Sequence, residues 1–459
     1  MLDIEKIKQS ILQKYESRTK KSKIHNETAK QFLPGGDTRS IGFYQPYPVF
    51  AVKGKGAYLY DSDGNEYLDF VNNMTSLVHG HVHPYINSAI KKQLENGVVH
   101  GIPVETKYKL AEQICKRVPS IESVRFNNTG SEATLFAMRA ARGFTGKDKF
   151  IKIDGGYHGN HDFAQVNLFP DMATKDLPRP YVAKGIPSSV LKDILVTPFN
   201  DLDTTEKLLK ENRGEIAAIM LEPVLGTGGG VPGSREYLQG LRKLADQYDT
   251  LLIFDEIITF RLHEGGYQTM MDVKPDLTTL GKVIGGGFPI GAFGGRKDIM
   301  DMFDPTKPDS MTHSGTFTAN AMAMTAGLAA LEIYQQQDID KLNKLGKMLT
   351  DGFQQALNDT GVTGSIRAIG SMAMLYFSNR EINTAKDVVL GFMEYGELMR
   401  FFHLEMMNRG IYFLHRGMFS LTTPMTENEI SKTINIFKET LEMIKPMADK
   451  VSQQGDFKF

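Results

Sequence analysis

Asp255 closes a run of apolar, β-favouring residues (Leu251, Leu252, Ile253, Phe254), and Lys282 stands shortly before three consecutive glycines at 285–287. A continuous apolar run reads as a strand covered on both faces, the pattern of a parallel sheet. Asp255 then sits at the carboxyl end of a buried strand, where open α/β sheets bind their ligands. A lysine amine beside backbone that permits close approach suits imine formation with a bound aldehyde. An acid that keeps a pyridine nitrogen protonated, together with such an amine, is the pair that pyridoxal phosphate (PLP) requires. Taken singly, each residue has a plainer reading. An aspartate after a strand caps the next turn or helix, and a lone lysine is a solvated surface residue. The pair needs a phosphate site beside it.

Residues 126–144, FNNTGSEATLFAMRAARGF, supply that site. Thr129, Gly130 and Ser131 follow an expected strand and open an expected helix, and Thr129 with Glu132 has capping-box spacing. Free N–H groups, two hydroxyls and the positive helix end make an anion cradle. As capping alone the signal is weak; with Asp255 and Lys282 it becomes strong. GGYHGN at 155–160 puts Tyr157 at a further strand end, where an aromatic can stack on the pyridine ring or merely line a rim. HSGTF at 313–317 is a polar turn before a helix, so Thr316 offers another phosphate contact or another cap.

These residues need elements to position them. Ile4, Ile7, Ile11, Leu12 and Tyr15 recur at helical spacing, giving an amphipathic first helix, and Asp63–Gly64 turns a hairpin between two short strands. From about residue 85 helices and strands alternate. Helices are expected up to 96 and over 106–118, 131–144 and 234–248, and strands over 123–127, 149–153, 217–223, 250–257 and 291–294. Such alternation argues for a parallel, doubly wound sheet. No strand is read directly before the glycines at 285–287. A helix at 321–335, β segments at 373–377 and 411–413 and a last helix at 427–447 follow. The expected organisation is a large domain over 76–330, with the ends 1–75 and 331–459 combining into a smaller one.

The chain has 459 residues, 41% hydrophobic and 23% charged, with a formal net charge of −1. That charge offers no strong field for nucleic acid or an anionic membrane. The single cysteine, Cys115, excludes an internal disulfide framework and falls in a helical pattern suited to core packing. The N-terminus shows no apolar signal-peptide core, and no stretch reaches the roughly 20 apolar residues of a membrane span. A cytoplasmic location is the expectation. His79, His81 and His83 alternate before Pro84, but no further ligand set accompanies them, and no metal is expected.

Taken in order, the phosphate turn, GGYHG, EPV, DEI-x-T, the lysine loop and HSGTF make the chain resemble the class III PLP-dependent aminotransferases of fold type I over nearly its whole length. The resemblance implies a large domain with a mostly parallel seven-stranded sheet, a small α+β domain, PLP as cofactor, and a homodimer with shared sites. By match, Lys282 is the imine lysine and Asp255 the partner of the pyridine nitrogen. Thr129, Gly130 and Ser131 hold phosphate, Tyr157 stacks on the ring and Ile257 lies under its opposite face. Glu222 lines the cofactor region, and Thr316 is the phosphate contact given by the neighbouring subunit.

Within that family the chain looks like both the β-amino-acid aminotransferases and glutamate-1-semialdehyde 2,1-aminomutase. A planar guanidinium pairs bidentately with a carboxylate, so arginines set substrate choice. Arg39, in PGGDTRSIGFYQPYPVF, and Arg416, in YFLHRGMFSLT, resemble the β-amino-acid enzymes; the aminomutase loop reads more like GGVNSPVR and generally lacks the second arginine. Each arginine otherwise reads as half of a surface ion pair. The implied reaction moves an amino group from a β-amino acid to a keto acid such as 2-oxoglutarate, with Tyr44 and Tyr47 near the entrance; the aminomutase is the alternative. A nucleotide-binding module is disfavoured, because GGGFPIG lacks the G-x-G-x-x-G pattern. A catalytically dead binding protein is disfavoured because no expected catalytic position is substituted.

Overall fold

The computed structural model describes residues 4–174 and 177–453, so residues 1–3 of the expected first helix lie outside it. The described residues fall into two units. One comprises Pro84–Ile339 with Ile382–Val388; the other runs up to His83, then Asp340–Glu381, and on from Val389.

The first unit is built on a seven-stranded sheet. Its spatial order is Ser123–Asn127, Gly291–Gly295, Leu277–Gly281, Leu251–Asp255, Ile216–Leu221, Lys149–Ile153 and Ile194–Thr197. Gly291–Gly295 runs antiparallel to both neighbours, and every other pairing is parallel. The central strands Ile216–Leu221 and Leu251–Asp255 are buried along their whole length, which is why they read as unbroken apolar runs. Helix Arg235–Gln247 buries Tyr237, Leu238, Leu241 and Ala245, one apolar stripe at helical spacing. Gly291 is required by close approach: a Cβ there would come 2.0 Å from the Thr129 carbonyl oxygen.

Two strands of this sheet were not read from sequence, Ile194–Thr197 and Leu277–Gly281. The second runs directly into Lys282, contrary to the expectation that no strand leads into that loop. Thr278 and Thr279 interrupt its apolar pattern yet are fully buried, because their hydroxyls are bonded to Ser120 Oγ (2.8 Å) and Asp255 Oδ1 (3.0 Å). Helices Gln336–Thr360 and Ala385–Asn408 were also not read.

The second unit holds a four-stranded sheet, Ala51–Lys55, Tyr58–Asp61, Glu66–Asp69 and Ile411–Tyr412, and an antiparallel sheet of Ser365–Ile369, Met372–Tyr376 and Met418–Ser420. Asp61 locks the expected hairpin by accepting from Asp63 N, Asn65 N and the Tyr67 hydroxyl. Stacked rings fill its core, Phe353 on Phe437 at 3.8 Å and Phe413 on Phe419 at 4.3 Å. No helix among the described residues is long and apolar enough to cross a membrane.

Candidate active site

Parallel strands deliver their carboxyl ends to one edge of a sheet, and the chemistry-bearing residues of the first unit gather there. Asp255 ends its strand opposite Thr279, three residues before Lys282. Glu222 follows Ile216–Leu221, and Tyr157 and His158 follow Lys149–Ile153.

Asp255 is buried and its carboxylate is fully engaged. It meets His158 Nδ1 at 2.8 Å and accepts from Thr279 Oγ1 at 3.0 Å and Ile257 N at 3.2 Å. Three hydrogen-bonding partners satisfy the buried carboxyl group. Sequence reasoning assigns no role to His158, the histidine of GGYHG. Its Nε2 is buried with no partner, and burial lowers the ring's pKa while the Asp255 contact opposes this. The signal that could have found it is its place beside Tyr157 at a strand end.

Lys282 adopts φ +49°, the left-handed region that a side chain rarely occupies, and strain of this kind collects at functional sites. Burial lowers its pKa, and the charges of Asp255 and Glu222 pull it back up. A lysine so placed is a better nucleophile near neutral pH than a solvated one. Burial, with the charge of Asp255, pushes Glu222 up to about 8; its oxygens accept from Tyr157 N at 2.8 Å and Gly226 N at 3.0 Å.

At the start of helix Gly130–Thr145, Thr129 Oγ1 accepts from Glu132 N at 3.1 Å. Glu132 Oε2 returns a bond to Asn128 N, one residue earlier than a standard capping box. The first carbonyl-bonded helical amide is that of Ala133, to Thr129 O, so the amides of Gly130 and Ser131 precede the helical ladder and suit an anion. A Cβ on Gly130 would lie 2.6 Å from Ile257 Cδ1, and one on Gly281 would lie 3.4 Å from Ile257 Cγ2. Ile257 therefore sits between the phosphate turn and the lysine turn. Ser131 Oγ accepts from Asn160 N at 3.1 Å, tying that turn to the Tyr157 loop. Thr316 is exposed on the turn before helix Ala321–Glu332.

The donor set fits PLP. An anion cradle, a buried acid with three hydrogen-bonding partners and a desolvated lysine match what the cofactor's phosphate, ring nitrogen and aldehyde need.

Arg39, Arg416, Tyr44 and Tyr47 belong to the second unit. Arg39 lines a cavity of about 440 Å³ and donates to Asn73 Oδ1 at 2.7 Å. Arg416 is half-buried, burial lowers its pKa, and no carboxylate among the described residues pairs with it. Tyr44 and Tyr47, expected near the entrance, are only 6% and 3% exposed. Their rings complete a core with Tyr15, and their hydroxyls bond to Val49 N and Thr19 Oγ1. His81 Nε2 meets Asp69 Oδ2 at 2.8 Å, and no cluster of metal-binding side chains occurs among the described residues.

Comparison with known proteins gives the site its family. The family profile Aminotransferase class-III matches residues 43–441. The glutamate-1-semialdehyde 2,1-aminomutase of Methanosarcina acetivorans is 39% identical over 92% of this chain and 98% of its own. An omega-transaminase from Sphaerobacter thermophilus is 39% identical, with a TM-score of 0.89 over 92% of this chain and 98% of that one. A β-phenylalanine aminotransferase from Variovorax paradoxus is 33% identical, with a TM-score of 0.86 over 96% and 99%. The chain belongs to the class-III aminotransferase family, with pyridoxal phosphate as its cofactor.

Proposed function

We propose that this enzyme moves the amino group of a β-amino acid to a keto acid such as 2-oxoglutarate. The observation that carries the reading is Arg416, a half-buried guanidinium that no protein carboxylate among the described residues neutralises. Keeping such a group desolvated and unpaired is costly unless a ligand supplies the carboxylate. Arg39, also without a carboxylate partner, is the second reader.

Bound PLP supplies an electrophilic carbon for the amino group and a ring that takes up electrons. Asp255, held by His158 and Thr279, keeps its charge toward the ring nitrogen. The amine of Lys282 would hold the cofactor by its aldehyde and, when free, would move the proton at the carbon bearing the substrate's nitrogen. Thr129, Gly130 and Ser131 grip the phosphate, Tyr157 and Ile257 flank the ring, and Glu222 sets the loop that carries Tyr157. Thr316, exposed on its turn, serves the phosphate of a partner subunit in a homodimer. Lys282→Ala is expected to abolish turnover and borohydride fixation of the cofactor; survival of either removes the lysine from this role.

The second reading is the aminomutase, and overall similarity favours it: curated relatives at 36–40% identity carry that name. The local residues at 39 and 416 favour the first. Incubation with 3-aminocarboxylates and 2-oxoglutarate should yield glutamate. Absence of glutamate, with conversion of glutamate-1-semialdehyde to 5-aminolevulinate, would decide for the aminomutase.

A further inference from the structure

The peptide joining Gly156 to Tyr157 is held from both ends by two buried polar side chains. Lys152 Nζ donates to the Gly156 carbonyl at 2.5 Å, and the Tyr157 N–H donates to Glu222 Oε2 at 2.8 Å. Both side chains are nearly inaccessible, Lys152 at 3% exposure and Glu222 at 4%. The Lys152 amine donates at the negative end of the peptide dipole and the Glu222 carboxyl accepts at its positive end. Rotating that peptide would leave two buried polar groups without a partner in a dry interior, which is expensive.

From this arrangement we infer that Lys152 and Glu222 form a peptide clamp that fixes the plane of Tyr157, making Lys152 a positioning residue for cofactor binding. The inference rests on Tyr157 being the aromatic that stacks on the cofactor ring. Several observations support it. Tyr157 is the first side chain after the clamped peptide, so the clamp limits its φ and hence where its ring lies. Next in the chain, His158 is tied to Asp255, so the loop is fixed on both sides of Tyr157. Glu222 Oε1 is occupied by Gly226 N, leaving Oε2 for the clamp. Burial pushes the Lys152 amine down to about 8, against the pull of Glu222 and Asp154. A purely space-filling lysine would need no carbonyl acceptor.

The test is cofactor affinity, measured by titrating PLP into the apo form of the full chain and following visible circular dichroism. Lys152→Met keeps the length and removes the donor; it should raise the PLP dissociation constant about tenfold and change the dichroic band. Tyr157→Leu should weaken binding by a few-fold to about tenfold, the range of a lost ring contact. In the Tyr157→Leu background, Lys152→Met should add less than about twofold, because there is no ring left to position. If Lys152→Met adds its full effect in both backgrounds, or has none, the clamp is overturned while the stacking role stands. If Tyr157→Leu alone leaves affinity and spectrum unchanged, the stacking role itself fails, and the clamp with it. Should Lys152→Met not fold, Lys152→Leu, which also lacks a donor, replaces it in the same cycle, and its failure to depend on Tyr157 counts equally against the clamp.

Discussion

A carboxylate buried at a sheet edge keeps its charge only if the surrounding donors replace water, and at Asp255 they come from three directions: a ring, a hydroxyl and a backbone amide. Asp255→Asn preserves shape and removes the charge. We expect folding to persist and kcat to fall by roughly 10²–10³-fold, the size of a lost electrostatic partner. Thr279→Val removes one donor of the three and should cost far less; equal losses from the two variants would show that packing, not charge, is what matters there. Of this site, Asp255, Lys282 and the phosphate turn were legible in the sequence, because each follows a local pattern: an apolar run that ends in acid, a lysine before glycines, a capping box. His158, Thr279 and Lys152 were not. Their roles come from neighbours 97, 24 and 65 to 70 positions away, His158 and Thr279 to Asp255 and Lys152 through the Gly156–Tyr157 peptide to Glu222, and no local spacing encodes such pairs.

At the scale of elements, the mixed sheet depends on a strand narrow enough to slip between two others. Gly291 pairs with both Asn127 and Gly281, and its missing Cβ makes room for the Thr129 carbonyl at the mouth of the phosphate turn. Gly291→Ala forces backbone against backbone. We expect a loss of about 1–3 kcal/mol or more in denaturant unfolding, with weaker PLP retention because Thr129 and Gly130 must shift. Gly285→Ala meets a side chain rather than backbone, Ile290 with Cγ2 at 2.6 Å and Cβ at 3.3 Å, and should be the milder of the two. If Gly285→Ala proves the more damaging, the close approach at 291 is not what fixes the turn. Element positions were largely readable here: helix Gly130–Thr145 and strand Lys149–Ile153 fall within a residue of expectation. Leu277–Gly281 was hidden because two of its five residues are threonines, and a threonine reads as surface until its hydroxyl is known to be bonded.

Across the whole molecule, a net charge of −1 conceals several groups held in their neutral form by burial. Burial pushes His403 down to about 3, with the nearby His415 adding to the effect, and it pushes His415 and His161 down to about 4. A histidine whose folded pKa lies below its unfolded value contributes stability that is present above about pH 6.5 and lost as pH falls toward the folded pKa. Glu222 has the opposite sign: its raised pKa gives stability that is present below about pH 4.5 and lost as pH rises through about 8. Between pH 6.5 and 4.5 the histidines outnumber it, so the melting temperature should drop steadily on acidification. Each withheld proton adds about 1.4 kcal/mol per pH unit to the slope. His403 is the cleanest probe. It is 1% exposed, lies in the unit that does not hold Lys282 and Asp255, and among the described residues makes one hydrogen bond, Nε2 to the Phe413 carbonyl at 3.1 Å. His403→Gln keeps an N–H for that carbonyl and cannot take up a proton. Its melting temperature at pH 7.5 should be equal to or somewhat below that of the parent, and its decline between pH 6.5 and 4.5 should be shallower by about one proton's worth. Parallel declines in the two proteins would mean that His403 is already protonated in the fold, and that acid sensitivity arises elsewhere.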